Sequence, residues 1–157
     1  MNTYICAMNI EEAIQTTKFY NDRSKLIINL AFTASHFAHQ QKHTLDPFGI
    51  TMQQFNILRI LRGRTPKTYA LKEITERMID KMSNTSRLVD KLLAKGLVER
   101  FICPMDRRQV EIGITQAGLE LINNASRAIE QATDDHLSHL NSDELKQLNL
   151  LLDKMRN

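Results

Sequence analysis

Two short stretches of this 157-residue chain carry side chains able to read a polyanionic surface. The first is Ser83-Asn84-Thr85-Ser86-Arg87, with Lys91 one helical turn further on; the second is Pro104-Met105-Asp106-Arg107-Arg108. Ser, Thr and Asn donate and accept hydrogen bonds on short side chains, and an arginine forks onto the paired acceptors of a guanine edge. Guanidinium is weakly hydrated and suits a narrow minor groove, where negative potential is concentrated. An aspartate two residues ahead of Arg108 would hold that guanidinium in one rotamer, at some cost in net attraction. Alone, the Ser/Asn/Thr run also reads as ordinary helix capping, and a basic tip as a solubilising loop. Their succession along the chain is what favours the DNA reading.

Charge gathers in the same region. Residues 51–115 hold 13 Lys+Arg against 7 Asp+Glu, residues 1–50 hold 4 against 4, and residues 116–157 hold 4 against 7. A basic middle between neutral and acidic ends is the footprint of a phosphate-facing module on a scaffold that avoids DNA.

The elements that must position these residues follow from periodicity. Residues 10–41 read as one long helix, with Ile27, Leu30, Ala31, Ala34, Phe37 and Ala38 on a single apolar stripe. Asp46-Pro47-Phe48-Gly49 ends it, since proline and glycine disfavour helix continuation. Thr51 with Gln54 forms a capping box for a helix carrying Met52, Phe55, Leu58 and Leu61, closed by Gly63. A short helix with Leu71, Ile74 and Met78 follows, then a turn over 79–82. The next helix spans 83–95, with Leu88, Val89 and Leu92 inward and Gly96 as its C-terminal cap. Residues 97–103 and 109–115 read as two strands, Val110, Ile112 and Ile114 alternating with polar or small residues. A helix from Thr115 buries Leu119, Ile122, Ile129 and Leu137 or Leu140. Asn141 with Glu144 caps a last helix bearing Leu145, Leu148, Leu152 and Met155.

The expected fold is mainly α with a small β-hairpin wing: a winged helix-turn-helix lobe over residues 49–115. Helical regions at 1–48 and 116–157 carry surplus apolar stripes that would be costly left in water, so they are expected to dimerise. The second helix of such a lobe enters the major groove, with its N-terminal residues at base edges.

At this level of detail the chain resembles the MarR family of bacterial transcriptional regulators, over nearly its whole length. The resemblance rests on Asn84-Thr85-Ser86-Arg87-Leu88-Val89-Asp90-Lys91-Leu92 and on Lys95-Gly96-Leu97-Val98-Glu99-Arg100. The pattern Asp106-x-Arg108 and the run Ile114-Thr115-x-x-Gly118 add to it. It implies Arg108 as the wing-tip reader, oriented by Asp106 beside Arg107, and Ser83, Asn84, Ser86 and Arg87 as the groove-facing set, with Thr85 on the more buried side. A proline often precedes this helix in the family; Met82 stands there instead. The resemblance also implies a homodimer on a pseudo-palindromic duplex, an effector-responsive repressor, and small aromatic or phenolic compounds as the effector class.

Other candidates are weaker. His36, His39 and His43 share a helical face, and His136 and His139 are spaced i, i+3, but no acidic or cysteine ligand accompanies them, so no metal is expected. Cys6 would be a redox sensor only with a lowered pKa, and Cys103 reads as a small apolar strand residue. Two distant cysteines imply no disulfide framework. GxSxG, P-loop, GxGxxG and HExxH patterns are absent, and with them the common enzyme classes; no cofactor is expected. No apolar stretch is long enough for a bilayer and no signal peptide is apparent, so a cytoplasmic location is expected. The rival readings are a winged helix that binds another protein, or a metal- or redox-responsive switch on the same scaffold.

Overall fold

The computed structural model describes residues 8–102 and 110–157, which group into two units, 1–41 and 42–157. In the first, α1 (Ile10–Ala13) is a single turn closed by a capping box between Asn9 and Glu12. The helix α2 (Asp22–Leu45) then starts afresh, Asn21 Oδ1 accepting the Ser24 N–H at 2.9 Å, and its last residues belong to the second unit. The continuous helix expected over 10–41 is therefore broken at 14–21. Gln15 adopts a left-handed φ of 53°, and Asn9 and Asn21 each supply a separate N-terminal cap. Apolar exposure on α2 is also broader than one stripe. Leu26, Ile27, Ile28, Leu30 and Phe32 are all exposed, and three consecutive residues sweep about 200° of a helix.

In the second unit a 3-10 turn (Asp46–Phe48) leads to α3 (Met52–Arg62), capped as expected by Thr51 and Gln54. The chain continues through β1 (Tyr69–Ala70), α4 (Leu71–Arg77), α5 (Thr85–Ala94), β2 (Val98–Ile102), β3 (Val110–Ile114), α6 (Gln116–Leu137) and α7 (Ser142–Met155). The helices α3, α4 and α5 share one core with the sheet and the start of α6. Ile57, Leu58, Ile74, Leu92, Val89, Ile112 and Ile122 are fully buried there. Arg62 ties α6 to α3 by donating to Asn123 at 3.0 Å and Ser126 at 3.1 Å. The buried Asn56 amide is satisfied at both ends, donating to Met78 Sδ at 3.7 Å and accepting from Arg59 at 3.1 Å.

The sheet has the order β1-β3-β2, all antiparallel, with Val98 opposite Ile114, Arg100 opposite Ile112, and Tyr69 opposite Ile112 on the other side. The hairpin was legible; the third strand was not, because two residues cannot display a period of two. No helix among the described residues is long and apolar enough to cross a membrane.

Candidate nucleic-acid interface

The helix α5 is held by three buried residues on one side, Thr85, Val89 and Leu92. Their i, i+4, i+7 spacing leaves Ser86, Arg87, Asp90 and Lys91 on the exposed side. The helix begins two residues later than the expected residue 83. Asn84 is the N-cap, its Oδ1 accepting the Arg87 N–H at 3.0 Å, so the first turn is closed from the side chain. Ser83 belongs to the preceding turn, where its hydroxyl donates to Asp80 at 2.8 Å. Thr85, counted among the DNA-binding residues but expected on the more buried side, is only 4% exposed and seats the helix; its hydroxyl has no hydrogen-bond partner among the described residues.

The far end of α5 closes on glycine. Leu97 N–H donates to Leu92 C=O at 3.1 Å and Gly96 N–H to Leu93 C=O at 2.9 Å, with Gly96 at φ +67°. This paired bonding needs a left-handed residue after the cap, which glycine adopts without a Cβ penalty. Three polar contacts then fix α5 against its surroundings. Arg100 of β2 bridges to Asp90 at 2.7 Å, the Lys95 ammonium donates to the Gly49 carbonyl, and Thr115 Oγ1 donates to Gly96 C=O at 2.8 Å. Asp90 and Lys95 are thus engaged within the protein, whereas Arg87 and Lys91 remain the exposed cations of the helix's outer edge.

That edge borders an open groove of about 310 Å³. Ser83, Asn84, Arg87 and Lys91 line one side, and Thr51 and Gln53 at the start of α3 the other. Sequence reasoning missed both, reading Thr51 only as a helix cap and leaving Gln53 unread. It also missed Asp80, which accepts from both the Met82 N–H at 2.9 Å and the Ser83 hydroxyl. The signal for Asp80 was present, since Asp followed by Ser three residues on is a common side-chain-to-backbone turn.

A second basic cluster lies around β1. The Tyr69 ring lies between the Arg64 and Arg77 guanidiniums, 4.7 and 5.0 Å from its centroid, and Arg77 donates to the Tyr69 hydroxyl at 2.8 Å. Glu73 accepts from the Ala70 N–H at 2.9 Å and from Arg64 at 3.0 Å. The Ala70 hydrogen bond above all, joined by the hydrogen bond and charge of Arg64, holds its carboxyl below the usual carboxylate range against the opposing effect of desolvation.

The expected wing readers Asp106, Arg107 and Arg108, and both cysteines, lie outside the described residues. Of the histidine cluster, His43 Nδ1 lies 3.9 Å from Asp46. Among the described residues no three His, Cys, Asp or Glu side chains come together as a metal site.

Comparison with known proteins places this geometry. The MarR family description matches residues 50–110. The multiple antibiotic resistance protein MarR of Escherichia coli (strain K12) is 30% identical over 127 residues, spanning 76% of this chain and 86% of that protein. A crystal structure of a MarR transcription factor from Planctomyces limnophilus is 31% identical with a TM-score of 0.67, covering 87% of this chain and 98% of that one. The S. aureus MepR–DNA complex is 25% identical with a TM-score of 0.72, covering 81% and 93% respectively.

Proposed function

The chain belongs to the MarR family of transcriptional regulators, and from that premise we propose that it is a DNA-binding repressor, not an enzyme, acting as a homodimer in the cytoplasm. Each α5 enters the major groove of a duplex, and the segment carrying Asp106, Arg107 and Arg108 reaches the adjacent minor groove. The observation that carries this reading is the two-sided character of α5: Thr85, Val89 and Leu92 seated in the core, Asn84, Ser86, Arg87 and Lys91 presented to solvent. A capped, rigidly seated helix with a polar outer edge is what base-edge readout requires. The apolar side chains left exposed on α2 and α7 support the homodimer, since a large unpartnered apolar surface marks an interaction site.

Two-fold pairing sets the two α5 helices about one DNA turn apart, so the operator is pseudo-palindromic with half-sites roughly 10 base pairs apart. A small aromatic or phenolic effector that binds better when that spacing is wrong would release the DNA. Binding to duplexes enriched from a randomised pool, followed by fluorescence anisotropy across a salt series, tests the reading. Affinity is expected to fall steeply with salt, the slope being about 0.9 per phosphate neutralised. A flat salt response would replace DNA by a protein partner as the occupant of this surface.

A further inference from the structure

The turn ahead of α5 displays a large apolar side chain almost wholly in water. Met82 is 92% exposed. Its neighbour four residues back, Met78, is 2% exposed and already fills the core, so Met82 is not a core residue out of place. Nor is its backbone free to withdraw. The Asp80 carboxylate accepts the Met82 N–H at 2.9 Å and the Ser83 hydroxyl at 2.8 Å, and the Asp80 carbonyl accepts the Ser83 N–H at 3.3 Å. Asn84 then caps α5. From Asp80 to Arg87 the chain is pinned step by step, so Met82 stands exposed on the turn whose Asp80 and Ser83 line the groove beside α5.

A single exposed apolar residue is ordinary on a protein surface. The position of this one is not, because it stands on the turn that leads directly into the recognition helix, whose N-terminal residues meet base edges. The major groove offers them one methyl group, the C5-methyl of thymine; the other groups that distinguish the base pairs there donate or accept hydrogen bonds. A flexible, polarisable thioether is well suited to cover a methyl group. We propose that Met82 is a specificity-determining residue that reads a thymine methyl group in each half-site, which rests on the DNA-binding reading above.

The test uses the full chain and duplexes enriched by the wild-type protein from a randomised pool. Each thymine of a half-site is replaced singly by deoxyuridine, which removes only the methyl group, and affinity is measured by fluorescence anisotropy. At one thymine per half-site the wild type is expected to lose about fourfold per methyl removed, the worth of one buried methyl-sized group. Met82→Ser is expected to be insensitive to that replacement, Met82→Leu to retain the sensitivity, and both to keep the wild-type thermal midpoint and salt slope. Tolerance of uracil at every position, or a Met82→Ser protein as methyl-sensitive as the wild type, overturns the assignment. If no duplex is enriched at all, the DNA-binding reading falls first and this one with it.

Discussion

At the scale of single residues, two kinds of side chain share α5, and substitution separates them. Arg87 is exposed, and its own backbone N–H is already satisfied by Asn84. Arg87→Ala is expected to cost on the order of 1–3 kcal/mol in operator affinity with the thermal midpoint unchanged, since it removes a base or phosphate contact and no packing. Arg108→Ala is expected to weaken operator binding by a similar amount, measured by anisotropy on the same duplex, through loss of one minor-groove guanidinium. Gly118 illustrates the opposite case. A Cβ there would lie 2.1 Å from the Leu97 carbonyl oxygen and 2.8 Å from Ile114 Cγ1. Gly118 N–H also closes the first turn of α6 on Thr115 Oγ1 at 3.0 Å, so the Thr115-x-x-Gly118 spacing is a cap joined to a close backbone approach. Gly118→Ala is expected to lower the urea midpoint, a loss of about 1–3 kcal/mol from overpacking, with no direct effect on DNA contacts.

At the scale of elements, capping decided where helices begin. Thr51 and Asn141 accept the expected backbone N–H groups, and both starts were readable from one side chain and its partner three residues on; Thr115, expected to begin a helix, is its N-cap. The start of α4 is weaker. Ala70 has no side-chain acceptor, so only the Glu73 carboxylate acts, accepting the Ala70 N–H. Because the folded state lowers the Glu73 pKa, its contribution is fully present at neutral pH and is lost as the pH falls through the depressed carboxylate range. Thermal melts of wild type and Glu73→Gln are therefore expected to differ at pH 7 and to converge as the pH falls below the depressed carboxylate range, where the carboxyl is as neutral as the amide. A gap that widens in acid would show that the charge of Glu73 is not what stabilises this turn.

At the scale of the whole molecule, the proposed homodimer rests on the exposed apolar residues of α2 and α7. Leu30 is 38% exposed and Leu148 46%, values that leave much of each side chain in water in the single chain. On the proposed homodimer, the wild type is expected to run as a dimer and Leu30→Glu or Leu148→Glu to yield monomers or insoluble chain, read by light scattering after size exclusion. A soluble dimer from both variants would place the subunit contact elsewhere. DNA affinity should fall with dimerisation, because two half-sites are then no longer bound as one.

How much was legible follows from range. The amphipathic spacing of Val89 and Leu92, the caps at Thr51 and Asn141, the glycine after α5 and the alternation of β3 all act over a few residues, so the order of amino acids alone determined them. The break between α1 and α2 was missed although its caps were local, because the stripe that carried the reading, Ile27 to Ala38, lies wholly within α2 and holds no information on residues 14–21. What only the tertiary structure decided was which outward residues are already engaged. Asp90 with Arg100, Lys95 with Gly49, and Tyr69 with Ile112 pair residues ten or more positions apart. Such partners are chosen by the packing of α5 against the sheet and α3. No local pattern records that choice, and it is what leaves Arg87 and Lys91 exposed beside the groove.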